Sequence, residues 1–290
     1  MSIQRRKLIV APVAGALVAL GASPRKARAQ VMSKAARLIV PWPPGGSTDS
    51  AARLLAEQML GKYAPAIVID NKPGAGGRLG LDVAKAAEAD GSVFVLSPAS
   101  PFVMYPHVYK KLSYDPFVDL VPVTRVCKFS FALSVGPMVP ASVKTVADFL
   151  QWCRANPKDA LYGIAAAGSG THFAGVMLSR ASGVTLTSVP YKGGAPAVQD
   201  LMGGQVAATL NVLGEVLPFV GSGKLRILAT TGEARSRLTP DVPAVAETFP
   251  GYVAAEWSGV FVPRRTPPGG RRQSRTLAVA PMIEPATGHR

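Results

Sequence analysis

Residues that carry metal and nucleophilic chemistry are scarce in this sequence. It has two cysteines and three histidines in 290 residues. Cys127 and Cys153 lack the paired spacing of a metal site. Each stands beside an apolar neighbour, Val126 or Trp152, where a free thiol serves as a small buried hydrophobe; an oxidising compartment leaves a bridge open. His107, His172 and His289 show no H-E-x-x-H or related spacing, so neither a metal nor a cofactor is expected. There is no G-x-S-x-G elbow for a hydrolase serine. No segment after residue 30 approaches the ~18 unbroken apolar residues of a membrane helix.

Acid is also in short supply, and the formal net charge is +15. Position explains most of it. Residues 1–30 hold six Lys/Arg and no acid, and residues 264–290 hold six Arg and only Glu284. Taken from totals of 32 and 17, these leave a net of +4 in 31–263. That stretch lacks the interleaved aromatic and basic residues of a single-strand groove, which excludes nucleic acid as a partner.

Arg5, Arg6 and Lys7, the apolar run Leu8 to Ala22, and the small residues of Ala27-Arg28-Ala29 form the three parts of a cleavable export signal. The expected address is the periplasm, and the Arg5-Arg6 pair leaves the export route open. Beyond it, buried strands alternate with helices. Arg37–Pro41, Ile67–Asp70 and Val93–Leu96 read as strands around helices that begin near Ser47 and Leu79. A similar grammar restarts at the strand Phe129–Val135 and runs to Thr230. Such alternation predicts an α/β fold of two lobes, each a mostly parallel sheet flanked by helices.

Two loops stand out. Trp42-Pro-Pro44-Gly45-Gly46-Ser47-Thr48-Asp49 joins a strand to a helix start, where unpaired amides and the helix dipole favour an anion. Ser47 and Thr48 add hydroxyl donors. A plain capped helix start fits the same residues. Ala166-Ala-Gly168-Ser169-Gly170-Thr171-His172 repeats the device in the second half. Facing each other across a cleft, the two would clamp a carboxylate. Lys192, in Tyr191-Lys-Gly-Gly194, adds a third candidate, with a solvated turn lysine as its alternative. Gly74-Ala-Gly76-Gly77-Arg-Leu-Gly80 misses the dinucleotide fingerprint because Leu79 takes the third glycine position. Ser169 and His172 superficially offer a nucleophile and a base, but at i, i+3 around a helix start, packing or capping is the simpler account.

Arg37–Asp49, Asn71–Gly77, Tyr191-Lys-Gly-Gly-Ala-Pro196 and Pro240-Asp-Val-Pro243 occur in an order and spacing that together resemble the TctC/Bug family, the extracytoplasmic substrate-binding receptors of tripartite tricarboxylate transporters. The resemblance covers roughly 31–263. It implies a two-lobed periplasmic-binding-protein (flytrap) fold with the ligand between the lobes, and a grip on a ligand carboxylate by Trp42 to Asp49 and Ala166 to His172. It adds Ser97 and Asn211, near strand ends that face the cleft in such receptors. Ala166 stands where the family usually has glycine, a change that would matter if that position needed a positive φ. The expected organisation is a signal peptide (1–29), lobe 1 (30–132), lobe 2 (133–232), a return segment (233–263), and an aberrant, disordered tail (264–290). The Arg/Gly/Pro-rich tail replaces the family's returning helices and is read as a frameshift or truncation near Arg264. The expected activity is binding rather than catalysis: a monomer that captures a small organic acid for membrane transporter subunits or a sensor. The alternatives are an exported hydrolase using Ser169 and His172, or a non-functional remnant.

Overall fold

The computed structural model describes residues 32–271. The expected export signal, and the tail beyond Arg271, lie outside the described residues. The first lobe opens with β1 (Ala36–Val40), α1 (Ser47–Met59), β2 (Ile67–Asn71), α2 (Arg78–Lys85) and β3 (Val93–Pro98). Two single turns follow, α3 (Ser100–Val103) and α4 (Tyr105–Val108). The 16-residue strand β4 (Leu120–Val135) then leads out of the lobe. The second lobe contains α5 (Val146–Ala155), β5 (Leu161–Ile164), α6 (Gly170–Ser182), β6 (Thr187–Pro190), α7 (Gly194–Met202), β7 (Ala208–Val212), α8 (Leu213–Val216) and β8 (Arg226–Thr230). Strand β9 (Ala255–Pro263) returns to the first lobe.

Helices cover both faces of each sheet because the strands are apolar on both sides. In β1, Leu38 and Val40 join a core that includes Ala52, Leu55 and Met59 of α1. Ile39, pointing the other way, joins Leu81 and Ala84 of α2. The second lobe repeats the plan: Leu133 and Val135 pack with Phe149, Leu150 and Leu178, while Ala132 faces Val198 and Leu201.

Parallel pairing is confined to the outer strands. The order is β2-β1-β3-β9-β4-β7-β5-β6, with β8 also on β4. The trios β2-β1-β3 and β6-β5-β7 are parallel, whereas β9 runs antiparallel to β3 and β4, and β4 antiparallel to β7 and β8. Residues Leu120–Ser130 of β4 pair with β9, and Phe131–Val135 pair with β7. Strand β4 therefore changes its partner strand between Ser130 and Phe131. Thr231 ties the crossing together: its hydroxyl oxygen accepts the Phe131 N–H at 2.9 Å and its O–H donates to Ala254 O at 2.5 Å.

The change of composition at Arg264 is not a structural boundary. Arg264 N donates to Asp119 O, Thr266 is buried, and the Arg271 guanidinium donates to the Thr266 and Arg264 carbonyls. These bonds correct the expectation of disorder for residues 264–271, since backbone carbonyls here satisfy an arginine that composition alone assigns to solvent.

Candidate functional site: the cleft between the lobes

The cleft lies where the starts of α1, α6 and α7 converge. Its lining combines the apolar residues Trp42, Pro43, Phe129, Phe131 and Val212 with the hydroxylic residues Ser47, Thr48, Ser100, Ser169 and Thr171. Gly46, Gly193, Gly194 and Ala195 bring backbone to its surface.

Six residues singled out from sequence meet here: Trp42, Gly46, Ser47, Thr48, Ser169 and Thr171. The remaining candidates surround the lining without forming it. Pro44, Gly45 and Lys192 are exposed. Asp49 is buried beneath the first loop, where its carboxylate accepts the Gly45 N–H (3.0 Å), the Asn71 amide (2.9 Å) and the Arg53 guanidinium (2.9 Å). Burial raises its pKa, but those three donors and the Arg53 charge overcome this and hold it below the ordinary value. Asp49 is thus a strut for the loop, and the helix N-cap is Gly46. Ser97 turns its hydroxyl onto Pro98 O. Asn211 is fully buried, with its amide donating to Gly194 O.

The second loop is braced by neutral groups. Ser169 Oγ donates to Ala166 O (2.7 Å) and lies 2.8 Å from Thr171 Oγ1, which accepts the Ala165 N–H. His172 Nδ1 accepts the Gly168 N–H, placing the imidazole proton on Nε2, and burial lowers its pKa. Ser169 and His172 spend these bonds on the loop, so the geometry does not assemble the nucleophile–base pair of the hydrolase alternative. The positive φ in this loop falls on Gly168 (79°). Ala166 needs none and instead packs against the first lobe's core.

Two carboxylates reach the cleft that sequence reasoning did not single out. Glu215, on α8 of the second lobe, accepts the Ser47 N–H of α1 at 2.8 Å. Glu256, on β9, accepts the Ser100 N–H at 2.6 Å and a second bond from the Ser100 hydroxyl, whose oxygen accepts the Gly170 N–H of α6 at 3.1 Å. Burial pushes both carboxyl pKa values up, with the serine donors partly opposing it. Each helix start thus has one of the protein's own carboxylates beside it. Glycine makes room for them: a Cβ on Gly170 would overlap Glu256 Oε2, and one on Gly194 would overlap Glu215 Oε2.

A cleft between two α/β lobes joined by exchanged strands is a receptor architecture, and sequence comparison makes it specific. Residues 51–286 match the family model described as the tripartite tricarboxylate transporter family receptor, TctC. The chain belongs to the TctC receptor family. Among its relatives, BugT of Bordetella pertussis is 36% identical over 234 residues, covering 80% of this chain and 71% of BugT. An R. palustris protein solved with adipate is similar in structure, with a TM-score of 0.83, 33% identity, and coverage of 87% of this chain and 84% of that one. MatC from Rhodopseudomonas palustris, solved with bound malate, has a TM-score of 0.79 and 27% identity, covering 87% and 85%. TctC receptors are solute-binding proteins of the periplasm, and the two-lobed TctC fold is the fold of this chain. Among the described residues no helix is long and apolar enough to cross a membrane.

Proposed function

We propose that this TctC-family protein is an exported receptor that closes its two lobes around a small organic acid and presents it to a membrane transporter or a sensor. The observation that carries this reading is the convergence of the α1, α6 and α7 starts on one cleft lined by both lobes. Helix starts supply fixed amide donors, and their dipoles favour a carboxylate. The ligands of the two structural relatives, adipate and malate, support an acid as the captured species. Ser130/Phe131 of β4 and Ala254/Ala255 at the start of β9 are the hinge points for closure. Sequences 1–29 supply the export signal, and transporter subunits are the expected partner.

Thermal unfolding of the mature chain against a panel of organic acids tests the reading. A bound acid at a hundredfold excess over its Kd adds about 2.7 kcal/mol of stability. A folded chain whose midpoint no carboxylate raises would refute receptor function.

A further inference from the structure

The starts of α1 and α6 are satisfied by one device run in opposite directions. Ser47 and Gly170 are the first residues of these helices, where the N–H has no partner within its own helix. An N-cap side chain does not supply one, because it bonds to the second or third amide. Each of the two amides instead finds its acceptor in the opposite lobe. The Ser47 N–H of the first lobe donates to Glu215 Oε1 of the second at 2.8 Å. The Gly170 N–H of the second lobe donates to Ser100 Oγ of the first at 3.1 Å.

Both acceptors are held in place by their surroundings. Ser100 is buried, and its N–H and O–H both donate to Glu256 Oε1. With its proton spent there, the hydroxyl oxygen faces Gly170 as an acceptor. Glu215 lies over Gly194, whose missing side chain leaves room for Oε2. The lobes also meet at the rim, where Tyr109 Oη donates to Ala167 O at 2.9 Å and Pro43 packs over Gly193.

We infer that Glu215 and Ser100 form a reciprocal latch: each lobe caps the other's helix start, and the two bonds open together when the cleft opens. Both are positioning residues for closure. The inference rests on the lobe closure of the receptor reading above and names what holds it, whichever solute is captured. Because the bonds join protein to protein, the latch can be tested with no acid present.

Amide hydrogen exchange of the mature chain, followed by NMR without added acid, is the test. In the wild type, Ser47 and Gly170 should both be protected. Glu215→Ala should speed exchange at Gly170 about tenfold or more, although Gly170 keeps its own acceptor, and Ser100→Ala should do the same at Ser47. Glu215→Gln retains an acceptor oxygen and should leave Gly170 near its wild-type rate. The amides of Leu38 and Leu133, buried in the two sheets, report whether each variant folds. If one variant loses their protection, the other decides the question. A folded variant that speeds only the amide it bonds overturns the latch. So does a wild type in which Ser47 and Gly170 exchange as fast as unstructured amides, a result that needs no variant. Uncoupled amides leave the receptor reading to the thermal test above, and a chain that ignores every acid but couples these amides keeps the latch.

Discussion

Helix α5 begins away from the cleft, and α1, α6 and α7 begin at it. The two kinds of start are built differently. Helix α5 has a complete capping box: Thr145 Oγ1 accepts the Asp148 N–H at 3.1 Å, and the Asp148 carboxylate accepts the Thr145 N–H at 3.0 Å. At the cleft the N-caps are Gly46, Ser169 and Gly193, and none makes a side-chain cap bond. Even Ser169, a good capping residue, turns its hydroxyl away to Ala166 O. A capping side chain would occupy the remaining first-turn amides, beyond the Ser47 and Gly170 N–H groups that Glu215 and Ser100 already take. The chain gives up local helix stability at the cleft and keeps it away from the cleft, the pattern expected of functional sites.

The cleft helices recover rigidity from bonds made outside the helix start, and this sets the order of mutational effects. Asp49→Ala should be the most damaging change, about 3 kcal/mol in urea unfolding, because a buried carboxylate with three donors is lost and the donors are left unpaired. Gly170→Ala comes next: its Cβ would push on Glu256 and lie 2.8 Å from Phe131 Cζ. Ligand affinity in titration should fall at least about tenfold, or 1.4 kcal/mol. Thr145→Ala should cost about 1 kcal/mol of stability and leave ligand affinity unchanged. If it weakens binding as much as Gly170→Ala does, the contrast between the two kinds of helix start fails.

The smallest effects lie in the pH dependence, where the two buried carboxylates have opposite signs. Asp49 has its pKa lowered from 3.8, so its contribution is present above that value and lost as pH falls through the folded pKa. Glu256 has its pKa raised from 4.5, so its contribution is full below 4.5 and lost as pH rises through the folded pKa. Glu256→Gln should therefore flatten the stability profile between neutral pH and 4.5, while Asp49→Asn should flatten it on the acid side. Urea midpoints across that range check both, and parallel profiles for the two variants would contradict the assigned signs.

Much of this molecule was readable from local pattern. The alternation of strands and helices follows from apolar periodicity, and the two cleft loops from glycine and serine ahead of a helical repeat. Local pattern does not reach Glu215 or Glu256. Glu215 bonds to a residue 168 positions away, and Glu256 to one 156 away. A lone glutamate in a short helix or at a strand end looks like a solvated charge until the lobes meet. Asp49 shows the converse: position placed it at the right loop, but only its partners Asn71 and Arg53 reveal that it holds the loop from beneath. The first half of β4 was missed because Leu120–Lys128 alternates weakly, and its pairing with β9 supplies the order that its own sequence lacks.

That pairing has a consequence for how the chain is made. Strand β9 sits between β3 and β4, so Val95 waits for Phe261, and Leu120 for Pro263. The first lobe to leave the ribosome is the last to be finished. Its neighbour, closed by contacts between Phe131 and Thr230, can complete its sheet earlier. During that interval the edge of β3 is unpaired. The delay keeps the sheet of the first lobe open until β9 has been made, so its folding is tied to the far end of the described residues.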